Sequence, residues 1–487
     1  MNMCKRTSVA FATVCLIGLC GPAIQASVIY VDNSHTGPFQ GTLTNPYAKL
    51  TTAMQNATAG DAIRVAKGNK TYNIADNGET YPLDLKSEVD IRGFGIGEAN
   101  YPSVGGDVND SAVKGGFRAE AFTGSITGVY ISKIRFVAED SSGKDAPSAV
   151  SLAVKSGESL DVELVSCVFE RSEMNDGSSA DKPSLLALVG EGSCDLTVDQ
   201  STIEPNEAGG IELDAGLETG FSEASTQDLT VSHCTFSLGT SEAAAYAIRH
   251  FVTADNCDDT SGNDLFRNVI DSRSASSPYG FSQGIVLGSK GLNSGVATML
   301  KTYNSVWRNL IAGCRNDGLS FLIETDANID SDASVRCWEV NQNEIRENGS
   351  AGILIDLGDG LDPYGYFNVR TNSNLIVEND VGMEIVGFSS LPAIQLQMMN
   401  DTVAYNTGYG LEMDNSVIVT DVENSLFWYN NSGGAQYGGT GGWAYTGAFC
   451  FSYNNWQGSP SSVLGNIDSV PEFVDYLNGD YHLAACA

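Results

Sequence analysis

Between Asn343 and Gly434 one short pattern of apolar and polar positions returns four times. A β-favouring apolar residue is followed three positions on by Asn, then by Gly and a segment that alternates apolar with polar. Ile345, Asn348, Gly352, Ile353 and Ile355 are answered by Ile376, Asn379, Gly382, Met383 and Ile385. Val403, Asn406, Gly410, Leu411 and Met413 follow, and Phe427, Asn430 and Gly433 close the run. The anchors stand 31, 27 and 24 residues apart. Period-2 segments at such intervals predict a β-solenoid with one coil per repeat, because a single turn has no core and buries its inward side chains only against its neighbours. Helix pairs repeat at similar intervals, but alternation around Gly argues against them. The Asn residues are expected to take the left-handed backbone of the corners and to stack as ladders.

The same coil runs through the middle of the chain with longer corners. Phe136, Phe169, Ile203, Phe236 and Ile270 are spaced by 33, 34, 33 and 34 residues, and Ile311 follows after 41. A coil of three short strands needs somewhat over ~20 residues, so about ten per coil belong to outside loops, where specificity would reside. The expectation is about twelve coils in one unbroken domain.

Residues 1–26 read as a secretory signal peptide: Lys5 and Arg6, an apolar run too short to span a bilayer, then Pro22 and Ala26. Residues 27–72 are expected to form an N-terminal cap and first coil, 73–457 the solenoid and 458–487 a C-terminal cap. Helical spacing over Asn45–Ala57, with Asn45 and Pro46 as cap and first turn, predicts a short capping helix between two strands. The stretches "YVDNS" and "GTLTNPYAKLTTAMQNATAGDAIRVAKG", with "NIDSVPEFVDYLNGDYHL" near the end, resemble the secreted right-handed parallel β-helix proteins of the pectin-lyase-like group. That resemblance implies the fold over most of the chain, and it leaves activity open, since the group holds lyases, hydrolases and proteins with no assigned reaction.

Composition narrows the partners. Without Lys5 and Arg6, 24 basic residues face 60 acidic ones, a formal charge of −36. Nucleic acid and anionic membrane surfaces are poor partners on electrostatic grounds, no later stretch approaches a membrane span, and an acidic extracellular surface suits Ca²⁺. Oligomeric state is left open. Cys4, Cys15 and Cys20 go with the leader, and the remaining eight suit an oxidising compartment. Their order suggests local disulfides, Cys167 with Cys194, Cys234 with Cys257, Cys314 with Cys337 and Cys450 with Cys486, among 105 pairings.

Aligning the strand after each Gly separates an inward column from an outward one. Ile211, Leu213, Ile285, Leu287, Leu319, Phe321, Ile353, Ile355, Met383, Ile385, Leu411 and Met413 fall inward. Glu212, Asp214, Asp356, Glu384, Glu412 and Asp414 fall outward. Glu384 and Glu412 share a register on successive coils, where two carboxylates would share a cation, raise one another's pKa or serve retaining glycoside hydrolysis. Matching Ile248 to Ile211 puts Arg249 outward beside Glu212. The resemblance implies that a lyase would use such a basic residue, with Ca²⁺ on the substrate carboxylate, which makes Arg249 a candidate base or substrate clamp and His250 a second. Neither the paired aspartates beside a His of the group's hydrolases nor the Lys/Arg cluster of its lyases is present. For each of these residues a plain surface role is the alternative.

Asp326, Asn328, Asp330 and Asp332 resemble half of an EF-hand loop, and Asp356, Asp359 and Asp362 form a second Asp-rich set. Both are candidate Ca²⁺ loops or simple Asx turns. Aromatics crowd Leu426–Trp456, and Trp428 and Trp443 are candidate sugar-stacking rings or an end cap. Taken together, the chain reads as a secreted or cell-envelope β-helix protein that engages a polysaccharide, acting as a lyase or glycoside hydrolase or else as a non-catalytic binding or structural protein.

Overall fold

The computed structural model describes residues 26–66, 72, 78–93, 112–138, 148–171, 184–205, 209–215, 226–238, 243–254, 260–273, 280–291, 301–325, 337–356, 366–386, 393–413, 419–438, 450–452, 455–457, 469–475, 478 and 480–483. Three long sheets run the length of the chain. The first has 14 strands, from Val28–Val31 to Cys450–Ser452, and the second has 12, from Ala112–Lys114 to Asn455–Trp456. The third also has 12, from Leu83–Asp84 to Tyr437–Gly438. Every pairing within them is parallel, and each strand pairs with the one a coil away. Crossovers between parallel strands of one sheet are right-handed in about 98% of cases. The molecule is a right-handed parallel β-helix of about the expected number of coils.

The core is a stack of side-chain files. In the second sheet Val113, Phe136, Phe169, Ile203, Phe236, Ile270, Ile311, Ile345, Ile376, Val403 and Phe427 lie in successive register, and all are buried. Phe136 and Phe169 stack with centroids 5.0 Å apart. Each strand is only two to four residues long here, so one inward side chain per coil must carry the packing.

Two ladders hold the corners. Between the first and second sheets stand Asn268, Asn309, Asn343 and Asn374. From Asn309 on, each carboxamide oxygen accepts from the backbone and side-chain N–H of the Asn one coil below, and each NH₂ also donates to a carbonyl further down, as Asn343 does to Asn374 (2.9 and 3.0 Å) and to Val306 (2.8 Å). Between the second and third sheets the same bonding links Asn348, Asn379, Asn406 and Asn430. The left-handed backbone falls one residue earlier than the sequence suggests, on Gln342, Ser373, Glu347, Glu378 and their equivalents, with φ of 50 to 59°. The Asn residues brace the corner instead of bending it, and their bonds offset a left-handed cost of about 1–2 kcal/mol per residue.

Several expectations are corrected. The helix α1 covers only Leu50–Asn56, with Lys49 at its N-cap. The orphan N–H groups of Leu50 and Thr51 go to the Glu79 carboxylate (2.6 and 2.8 Å), so a distant side chain caps the helix and Asn45 and Pro46 do not. Three of the expected cysteine pairs also fail: Cys167, Cys194, Cys234 and Cys314 are buried free thiols. Cys167, Cys234 and Cys314 occupy ladder positions, their backbone N–H groups donating to Ser201, Asn268 and Asn348. Cys194 faces the core from a strand of the first sheet. Order along the chain paired residues that the coil assigns to different files. Cys257, Cys486 and the side chains of Cys337 and Cys450 lie outside the described residues.

After the last coils, Phe473–Asp475 and Asp480–Leu483 pair as an antiparallel hairpin. It lies on the outer face of the second sheet, where Val377, Ala404, Leu426, Trp428 and Tyr481 form a small separate core. The Tyr481 hydroxyl donates to Glu378 (2.6 Å).

Candidate functional site

The expected inward column is buried throughout, which points Glu212, Arg249, Glu384 and Glu412 to the outer face of the third sheet. One file runs Ala187, Glu212, Arg249, Val286, Ser320, Leu354, Glu384, Glu412. Arg249 and Glu384 are therefore four coils apart, ~19 Å at the inter-strand spacing. Val286 and Ser320 between them are buried, so the file holds two separate clusters.

The first cluster is the better built. Arg249 Nη1 donates to both Glu212 and Asp214, at 2.7 Å each. Glu212 also accepts from the Ser184 hydroxyl (2.7 Å), which meets the Tyr246 hydroxyl at 3.1 Å. The guanidinium carbon lies 5.9 Å from the Tyr246 ring centroid and 5.1 Å from that of Phe251. Two glycines make the room. A Cβ at Gly209 would strike the Tyr246 ring and Ser184, and one at Gly288 would strike the Phe251 ring.

Burial raises the Asp214 carboxyl above its usual range even though Arg249 pulls it down. Burial lowers the Arg249 guanidinium, but Asp214 and then Glu212 outweigh it and the net shift is upward. The arginine stays charged, which suits a clamp and not a base. Tyr246 is also pushed up, by burial first and then by Glu212.

The second cluster is sparser. Glu384 and Glu412 are register partners, and the Glu384 carboxyl is raised by burial and then by Glu412. Asp356 stands one coil below, in the neighbouring outward file. Among the described residues no group of three or more His, Cys, Asp or Glu side chains is arranged to hold a metal ion. Asp326, Asn328, Asp330, Asp332, Asp359, Asp362, Asp414 and Trp443 lie outside the described residues.

Two candidates do not reach the site. His250 pairs in register with Leu213 and Leu287, faces the core and is 1% exposed. Its Nδ1 bonds Asn263 (2.7 Å), and burial lowers its pKa to about 4. Trp428 is buried beneath the C-terminal hairpin, so its ring face is unavailable to a sugar. Sequence reasoning missed Ser184, Tyr246 and Phe251. Only Phe251 had a signal, since alternation from Arg249 puts it outward.

A family model described as "Protein of unknown function (DUF1565)" matches residues 34–138. The search of curated proteins gave no match. Among solved structures, the A-module of the Azotobacter vinelandii mannuronan C-5 epimerase AlgE4 is 13% identical with a TM-score of 0.31, over 80% of this chain and 89% of that one. The AlgE6 A-module from the same organism is 12% identical with a TM-score of 0.32, over 86% and 93%. At these values the likeness says nothing about the site.

Proposed function

We propose that this protein engages an extended polysaccharide outside the cell, anchored by the Arg249 cluster on the outer face of the third sheet. The observation that carries the reading is a guanidinium fixed by two carboxylates and two aromatic rings on a rigid strand, half-buried but reachable. The two described hydrogen bonds of Arg249 both use Nη1. The remaining donors suit sugar hydroxyls or a carboxylate, and the rings of Tyr246 and Phe251 shield those bonds from water. A second reading, glycoside hydrolysis, draws on Asp214: a carboxyl raised by burial beside a second carboxylate has the character of a general acid. A lyase with Arg249 as its base is disfavoured, because its neighbours hold the proton on.

The test is retention of the native protein and of Arg249→Met by a panel of neutral and uronate glycans, with and without Ca²⁺, while reducing and unsaturated ends are monitored. Binding that Arg249→Met abolishes supports the anchor, and reducing ends that vanish in Asp214→Asn establish hydrolysis. No retention of the native protein on any glycan, or equal retention of Arg249→Met, refutes the proposal.

A further inference from the structure

We infer that a second carbohydrate subsite, selective for acidic glycans, lies on the outer face of the first sheet across the strand Lys301–Trp307. Tyr303, Ser305 and Trp307 point outward from this strand, and Tyr303 is 44% exposed. Its register partner one coil below is Gly262, so position 262 puts no side chain against the ring. A Cβ added at Gly262 would meet only the Asp228 carboxylate, whose Oδ1 lies 2.5 Å from that point. The Asp228 carboxylate occupies the space over Gly262, where it accepts from the Gly262 backbone N–H, and beside the exposed Tyr303 ring it offers a pyranose an aromatic wall for its apolar face and an acceptor for its hydroxyls.

The other end of the strand supplies charge of the opposite sign. Phe266 and Trp307 are register partners whose rings stack with centroids 5.0 Å apart. The Arg308 guanidinium lies 5.1 Å from the Trp307 centroid. With its ring already stacked, Trp307 steadies the arginine and leaves the platform role to Tyr303. Arg267 occupies the equivalent left-handed corner one coil below, with φ of 56° against 57° for Arg308. Its Nη1 donates to His233 Nε2 (3.4 Å), and Arg308 Nε donates to Gln342 (2.7 Å). Among the described residues neither arginine makes a salt bridge. In a chain with 60 acidic and 26 basic residues, two exposed guanidiniums on adjacent coils with no carboxylate partner among the described residues form a site for an external carboxylate, which a guanidinium fork grips through paired bonds.

Screening decides whether the acidic protein repels such a ligand. Tyr303 and Trp307 are four residues apart, ~13 Å along the strand. The Debye length in physiological salt is about 8 Å, so Asp228 is screened from the arginine corner, and the carboxylates nearest to it are already engaged, Asp264 by Trp307 Nε1 (3.3 Å) and Asp199 by His233 (3.1 Å). A glycan lying along the strand therefore sets a neutral ring on Tyr303 and a uronate carboxylate at Arg267 and Arg308. The inference shares the polysaccharide reading above as to ligand class, but none of its residues.

The experiment measures affinity for a soluble polyuronate, a sulfated glucan and a neutral glucan, using the native protein, Tyr303→Ala, the double variant Arg267→Ser/Arg308→Ser, and Arg249→Met. Unchanged thermal midpoints certify the fold. Tyr303→Ala and the double variant are each expected to weaken polyuronate binding by about tenfold or more, and only Tyr303→Ala to weaken neutral-glucan binding. A polyuronate-induced change in tryptophan fluorescence should disappear in Trp307→Phe. Polyuronate affinity untouched by either surface variant overturns the subsite, and equal affinity of the native protein for the neutral glucan and the polyuronate overturns its selectivity for acidic glycans. Loss in Arg249→Met with none in Tyr303→Ala sinks this inference and leaves the first site standing, and the reverse sinks the first site alone.

Discussion

The Thr371 hydroxyl donates a 2.6 Å hydrogen bond to the Asp401 carboxylate inside the core. Asp401 follows four successive Asn residues in the first corner ladder: its Oδ1 accepts from the backbone and side chain of Asn374, as Asn374 itself accepts from Asn343. An Asn there would use its NH₂ to donate one coil down, and an Asp has no such donor. Thr371 replaces the valine of the coil below, Val340, and turns the bond around.

Burial raises the Asp401 pKa from 3.8 to about 6 even though Thr371 and Asn374 bond the carboxylate. A carboxyl raised in the fold contributes stability that is fully present below pH 3.8 and is lost as pH climbs through about 6. The loss at neutral pH is about 3 kcal/mol. Asp401→Asn is therefore expected to raise the thermal midpoint at pH 7 and to leave it little changed at pH 4. Thr371→Val should lower the midpoint of the native protein at pH 7 by more than that of Asp401→Asn. A pH-independent effect of Asp401→Asn would mean that the carboxyl is not ionising in the core.

The second ladder lacks this adaptation. Asn379 accepts from Asn348 through its backbone N–H (3.1 Å) and its NH₂ (2.9 Å), and donates to the carbonyl of Ile345 (3.2 Å). Asn379→Ala strands two buried donors on Asn348 at about 1–3 kcal/mol each. Asn379→Asp restores the acceptor but buries a charge with no hydroxyl like that of Thr371 at hand, so it should destabilise at pH 7 and recover toward pH 4. Thermal melts of the two variants at both pH values check this, and identical behaviour at the two would refute it.

The C-terminal hairpin explains why both outward positions of three successive strands, Leu375–Val377, Thr402–Ala404 and Leu426–Trp428, are mostly apolar. Tyr481 packs 5.3 Å from the Tyr405 ring, and with Phe473 it covers the Trp428 region. Tyr481→Ala removes that ring and the bond to Glu378, and is expected to increase the quenching of Trp428 by acrylamide relative to Trp428→Phe controls. The solenoid itself should hold, since its own core is separate. Unchanged quenching would show that the hairpin does not seal this face.

Much of this is legible in the sequence. Ile345, Ile376, Val403 and Phe427 announce their file because each coil must bury one residue at that point, and aligning Ile248 on Ile211 placed Arg249 beside Glu212. The same alignment puts His250 on Leu213, hence inward, so parity alone removes it from the outer face. The apolar outward positions around Trp428 likewise signal a cover. Other features left no local trace. Ser184 joins the site from 28 residues before Glu212, and Glu79 caps a helix 28 residues upstream of it. The cysteines misled because pairing by order ignores which face each residue takes.

His250 makes the last prediction. Its Nδ1 bonds Asn263, whose NH₂ donates to Asn304 (2.6 Å), while Leu229 and Trp338 continue the same file below and above. Burial lowers the imidazole from 6.5 to about 4, so the stability it contributes is fully present above pH 6.5 and is lost as pH falls through about 4. The span is about 3 kcal/mol, similar in size and opposite in sign to that of Asp401, so the two partly cancel in the native protein between pH 4 and 6. His250→Leu alone strands Asn263 at about 1–3 kcal/mol. Paired with Asn263→Leu, which extends the Leu229 file but takes from the buried Asn304 its donor, it should leave a loss of similar size and abolish the acid-labile component. With that component gone, the Asp401 trend is exposed: the double variant should become steadily more stable from pH 6.5 to 4, relative to native, in a series of thermal melts. A double variant whose midpoint falls with acid as the native protein's does would show that His250 is not the buried group that charges.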